Sequence, residues 1–251
     1  MCRPAVVSPL LVVMLSGLVG CATTSAPGPA SEQTDRAERR GSFTDAPVEQ
    51  KAPLLPSAYF VGDGATFVGW RCSPSQDMVS ATQEDSLRLW TTHGAEQLPQ
   101  AVVDQGERYQ RGELSAHIIG DRAVIKSSRG RLECEARTRR DSLRRSDKPG
   151  VMFLARGNEP GWHLELANDV PRIDMSLDYG EREVSLPYRV TTLDNGAGRV
   201  ILESGRADAP FELRIEAGAC FDDMAGTPWP AQVTLNVNGR QLQGCGQGIA
   251  P

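Results

Sequence analysis

Phe211-Glu212-Leu213-Arg214-Ile215-Glu216 alternates apolar and charged side chains without a break, and this period of two decides the fold class. In a β-strand successive side chains point to opposite faces, so such a stretch turns one face to a core and the other to water. The same reading extends upstream, where Ile173, Met175, Leu177 and Tyr179 alternate with Asp174, Ser176 and Asp178. It extends downstream too, where Val233, Leu235 and Val237 run into Asn238-Gly239 before Leu242 and Cys245 return. Asn-Gly suits the two-residue hairpin turn because both positions tolerate positive φ. Asn195-Gly196 predicts another turn.

Between Tyr59 and Ala136 the same period recurs in shorter pieces. Leu87 and Leu89 flank Arg88 ahead of Trp90; Leu114, Ala116 and Ile118 alternate with Ser115 and His117; Ala123-Val124-Ile125 is a short run ended by polar residues. Gly94, Gly106, Gly112, Gly120-Asp121 and Gly130 punctuate these pieces at the spacing of turns. No long stretch carries apolar residues at helical spacing. The pattern predicts an all-β chain with two small antiparallel β-barrel domains, at 57–136 and 151–251, since closure leaves no exposed edge strands. Arg137-Thr138-Arg139-Arg140, continuing through Lys148 to Pro149-Gly150, is basic and poor in apolar residues. Residues 137–150 are therefore expected to be a solvated linker, with an electrostatic contact to anionic envelope polymers as the competing reading.

The start of the chain sets its address. A short apolar run from Ala5 to Val19 is too brief for the roughly 20 residues of a spanning helix. It ends in Leu18-Val19-Gly20-Cys21, which resembles the lipobox of bacterial lipoprotein signal peptides. That resemblance implies cleavage of residues 1–20 and acylation of Cys21, a membrane attachment in which each buried methylene contributes about 0.8 kcal/mol. With Ala22 next, it implies an outer-membrane protein held by its lipid and facing the periplasm. Residues 21–56, rich in Ala, Pro, Ser, Thr and Gly with mixed charges, read as a flexible spacer. The net charge of −5 argues against a nucleic-acid partner, which needs a concentrated basic face.

Of the six cysteines, Cys2 leaves with the signal and Cys21 takes the lipid. Cys72, Cys134, Cys220 and Cys245 remain, an even number in an oxidising compartment, and they allow three connectivities. Pairing within each β-rich region, Cys72 with Cys134 and Cys220 with Cys245, is the economical choice. Bridges over loops of this length stabilise by about 3 to 4 kcal/mol, which matters to small cores. His93, His117 and His163 are scattered and no cysteine pair has ligand spacing, so neither a metal nor a cofactor is expected.

From Trp70 to Glu135 the chain resembles the membrane-bound inhibitors of c-type lysozyme. The resemblance is carried by Cys72, Leu98-Pro99-Gln100, Gly106-Glu107-Arg108-Tyr109, Gly120-Asp121-Arg122-Ala123 and Cys134. It implies a disulfide-stapled barrel that pushes a loop into the lysozyme cleft and offers donors to the catalytic carboxylates. The contact candidates it supplies are Gln105, Gly106, Glu107, Arg108, Tyr109 and Arg111. The chain departs from the family at two positions, with Gln105 where the loop motif has serine and Ile119 where it has lysine. An amide still donates to a carboxylate; isoleucine cannot.

The second region carries Gly157-Asn158-Glu159-Pro160-Gly161-Trp162, then Cys220-Phe221-Asp222-Asp223-Met224-Ala225-Gly226, and Gly244-Cys245 near its end. These resemble an uncharacterised family of bacterial envelope domains, and Asn158, Glu159, Pro160, Trp162, Asp222, Met224 and Gly226 are its motif positions. Glu159, Asp222 and Asp223 could serve acid–base chemistry only if brought together; as turn formers among Pro, Gly and Trp they are equally at home. No nucleophile elbow, phosphate loop or zinc-protease helix is present. The sequence therefore points to a non-enzymatic, lipid-anchored binding protein with a lysozyme-inhibitor-like first domain. The alternative is a structural or stress-related envelope lipoprotein that binds an unknown ligand through its second domain.

Overall fold

The structure is a computed structural model and describes residues 51–52 and 54–250. Cys21, the apolar leader and residues 21–50 of the spacer lie outside the described residues. Two closed eight-stranded antiparallel barrels follow one another along the chain, as the alternation predicts. The first consists of β1 (Thr66–Ser73), β2 (Asp77–Gln83), β3 (Ser86–Thr91), β4 (Gly94–Ala101), β5 (Glu107–Arg111), β6 (Leu114–Ile119), β7 (Arg122–Ser127) and β8 (Gly130–Asp141). The second consists of β9 (Val151–Asn158), β10 (Gly161–Ala167), β11 (Arg172–Leu177), β12 (Arg182–Asp194), β13 (Arg199–Ser204), β14 (Phe211–Phe221), β15 (Pro228–Val237) and β16 (Arg240–Gly248). Each is an up-and-down meander, closed by β8 on β1 and by β16 on β9.

Trp70, Met78, Leu87, Leu89, Leu98 and Tyr109 fill the first barrel. The one buried indole N–H among them, on Trp70, donates to Ser80 Oγ at 2.8 Å, so the core holds a satisfied polar pair. Cys72 and Cys134 face each other across β1 and β8 and are bonded. The second barrel is larger and more apolar, with Leu164, Leu166, Ile173, Met175, Leu202, Leu213, Ile215 and Leu235 inside. Three of its β16 glycines make room for aromatic rings. A Cβ on Gly246 would fall 2.6 Å from Phe153, one on Gly248 2.5 Å from Phe60, and one on Gly244 2.8 Å from Trp162.

Three boundaries differ from those the sequence predicts. The alternation at 173–179 stops at Leu177; a one-turn 3-10 helix, Asp178–Gly180, follows, and Tyr179 has positive φ and is 76 % exposed instead of continuing the inner face. Strand β8 continues through Asp141, into the stretch expected to be a linker. Its register on β1 shifts between Gly69 and Trp70: Ala136 stands opposite Trp70 but Thr138 opposite Gly69. Arg137 is the extra residue, and such a bulge re-aims the side chains beyond it. Thr138 and Arg140 thereby face the second barrel. Charged side chains on this strand are thus a sheet surface, and composition alone could not distinguish that from a loop.

The third difference is at residues 57–61, predicted to open the first barrel. They pack into the second. The 3-10 turn Ser57–Tyr59 buries Tyr59 completely, with its hydroxyl donating to the carbonyls of Gly198 (2.8 Å) and Ile215 (2.9 Å) and its ring edge-on to Phe153. Trp90 of the first barrel donates to Ala58 O at 2.8 Å from the other side. Phe67, Val79, Ala81 and Trp90 point outward from β1, β2 and β3 and join one apolar cluster with Ala217, Ala219 and Ala231. Both barrels consequently share a core and belong to one compact unit.

Candidate functional site

The β2–β3, β4–β5 and β6–β7 connections gather at one end of the first barrel, because successive strands run antiparallel. The β4–β5 loop, residues 102–106, is the longest of the three and carries Val102 fully exposed. Its far side is fixed twice. His117 Nε2 hydrogen-bonds Gln105 O at 2.8 Å, and Gly106, at φ +72°, lies so close to β6 that any Cβ would collide with the Ile118 carbonyl oxygen. Only glycine meets both conditions. Ile119, 52 % exposed, flanks the loop, giving this end two outward apolar side chains.

The structure distributes the six contact candidates unequally. Gln105, Gly106 and Glu107 lie together at this end and are exposed. Arg108 points out from the barrel wall and donates to Gln110 Oε1 at 3.0 Å. Tyr109 points inward, 2 % exposed, and its hydroxyl donates to Glu107 Oε2 at 2.9 Å. Burial, followed by that donation to a carboxylate, pushes its pKa up, so the phenol stays protonated. Arg111 is at the far end of β5, roughly 13 Å along the strand from Glu107 at about 3.3 Å per residue, and opens on the opposite mouth. Val102 was not singled out by sequence, because a Val-Val pair ahead of Asp104-Gln105-Gly106 does not reveal which valine faces water until the fold is seen.

The second-barrel motif is consumed by packing. Trp162, 4 % exposed, lies inside against Gly157 and Gly244, and the Glu159-Pro160 peptide that precedes it forms the β9–β10 turn. Asn158 O accepts from the Tyr179 hydroxyl at 3.2 Å. Asp222, 9 % exposed, organises the β14–β15 turn: Oδ1 accepts from the N–H groups of Met224 (3.2 Å) and Ala225 (2.7 Å), and Oδ2 from Arg156 (2.9 Å). Burial raises its pKa, but hydrogen bonds from Ala225, Thr227 and Arg156 outweigh that, and the net shift is downward. A carboxylate so satisfied is held ionised and is a poor proton shuttle. Gly226, at φ +61°, presents its carbonyl to the Thr138 hydroxyl of the first barrel at 2.8 Å, while Met224 is 83 % exposed at the tip. The Cys220–Cys245 bridge ties this turn to β16.

Arg140 lies where the turn meets the first barrel. Its guanidinium carbon is 3.8 Å from the Trp229 ring centroid and 4.7 Å from that of Phe67, and it donates to Gln247 Oε1 (2.6 Å) and Pro228 O (3.1 Å). Burial, and then the charge of Arg156, lower its pKa from the usual arginine value. Among the described residues no group of three or more His, Cys, Asp or Glu could hold a metal ion, and no helix is long and apolar enough to cross a membrane. No protein family matches the chain, and no curated protein does.

Proposed function

We propose that this chain is a lipid-anchored binding protein of the bacterial outer membrane, without catalytic chemistry of its own, whose first barrel inserts the 102–106 loop into the cleft of a c-type lysozyme. The observation that carries this reading is the fully exposed Val102 on a loop whose bend toward β5 is fixed at Gln105 and Gly106. A preorganised loop loses little conformational freedom on binding, and an exposed apolar side chain gains by leaving water. Gln105 lies on the same loop and supplies an amide donor for a carboxylate in the cleft. Glu107 is already engaged by the Tyr109 hydroxyl, which moderates the repulsion it would otherwise exert. The contact surface in this reading is Val102, Gln105 and Ile119, with Arg108 at its margin; Tyr109 and Arg111 take no direct part.

The test is titration of the full exported chain, carrying Cys21→Ser so that it is free of detergent, against a c-type lysozyme, by calorimetry and by lytic rate. Binding at micromolar concentration is expected, weakened at least about tenfold by Val102→Asp and by Gln105→Ala. Absence of both binding and inhibition at that concentration overturns the proposal.

A further inference from the structure

The opposite mouth of the first barrel opens on a cleft of about 970 Å³, distinct from the loop end. One wall comes from the β3–β4, β5–β6 and β7–β8 connections, the other from the β12–β13 turn at 195–198 in the second barrel. Charge in it is one-sided. Arg88, Arg111, Arg129 and Arg131 line it, and among the described residues that line it Glu96 is the one carboxylate. Arg131 is held by Glu133 at 3.0 Å, and Arg88 by Ser57 O (2.8 Å) and Gln97 (3.0 Å). The guanidiniums of Arg111 and Arg129 have no ion pair or side-chain hydrogen bond among the described residues, although the chain as a whole carries −5. Leu89, Leu114 and Ile125 supply apolar atoms to the floor beneath them.

The volume lies at the upper edge of the roughly 300–1,000 Å³ typical of small-molecule sites, which combine apolar lining with a few convergent polar groups. Guanidinium presents parallel N–H donors that match a carboxylate or phosphate. Two such groups without a partner, above an apolar floor, complement a molecule with an anionic head and an apolar body. We propose that this cleft binds a single-chain anionic amphiphile, its phosphate or carboxylate head between Arg111 and Arg129 and its chain over Leu89, Leu114 and Ile125. The site is independent of the lysozyme-directed loop at the other end of the barrel.

The experiment is calorimetric titration of the Cys21→Ser full chain with dodecyl phosphate below its micelle concentration, and in parallel with dodecanol and with inorganic phosphate. Saturation at one molecule per chain in the micromolar range is expected for dodecyl phosphate alone. In the Arg111→Ala/Arg129→Ala double variant affinity should fall at least about tenfold, with circular dichroism and thermal midpoint unchanged because both side chains are exposed. Lack of saturation, equal binding by either control, or undiminished affinity in the double variant overturns the proposal.

Discussion

The Arg140 guanidinium stacks at 3.8 Å on the ring of Trp229, and this contact joins the last strand of the first barrel to the β14–β15 hairpin of the second. It is the polar counterpart of the apolar seam formed by Phe67, Val79, Trp90 and the β14 alanines. Two barrels that the sequence reads as joined by a solvated linker thereby belong to one compact unit.

Arg140→Ala should lower stability by about 2 to 3 kcal/mol, through two lost cation–π contacts and the unpaired carbonyls of Gln247 and Pro228. Arg140→Met should recover at least half of that, because it fills the space without a charge to desolvate. Urea unfolding followed by tryptophan fluorescence measures both. A first transition separating from the second in the alanine variant would mark the uncoupling of the barrels.

Asp222 makes stability sensitive to acid. Its folded pKa lies below the ordinary carboxylate value, so as pH falls below about 4 the unfolded chain takes up the proton first. The stabilisation is complete above that pH and is lost as pH falls further through the folded pKa. Asp222→Ala should cost about 2 kcal/mol at pH 7 and flatten the acid limb of the stability curve, read from denaturation midpoints between about pH 2 and 7.

Tyr59 and Tyr188 make it sensitive to alkali. Burial raises both phenols above the ordinary value of 10.0. The folded protein keeps protons that the unfolded chain releases, so stability is full below about pH 10 and declines as pH rises beyond it. The two differ at neutral pH. Tyr59→Phe removes a hydroxyl bonded to Gly198 O and Ile215 O and should cost about 1 to 2 kcal/mol, whereas the Tyr188 hydroxyl is buried without a partner among the described residues and Tyr188→Phe should be neutral or stabilising. Urea midpoints at pH 7 and about pH 10.5 separate the effects.

Gly106→Ala should lower stability by at least about 2 kcal/mol, since it combines a positive φ with a collision against the Ile118 carbonyl. Gly112→Ala, also at positive φ but in open space, should cost only about 1 kcal/mol. Thermal midpoints of the pair isolate the close approach that holds the 102–106 loop in place.

The all-β class, the Asn238-Gly239 hairpin and the separation of the chain into two disulfide-bonded β-regions were legible in the residues themselves. Period two is a property of the single strand, and turn residues act on their immediate neighbours. The candidate site was legible only in part. A motif such as Gln105-Gly106-Glu107-Arg108-Tyr109 names residues close in sequence, but alternation sends Tyr109 inward, Arg108 outward and Arg111 to the other mouth.

What the sequence by itself determined was strand identity and turn chemistry, because these depend on backbone preference and on which of two faces is apolar. Tertiary structure alone decided that Arg140 is a seam residue and not part of a linker, that Tyr59 belongs with the second barrel, and that Arg111 and Arg129 line one cleft. Each of these depends on a register shift or on packing between strands far apart in the chain, and such contacts leave no local periodicity to read.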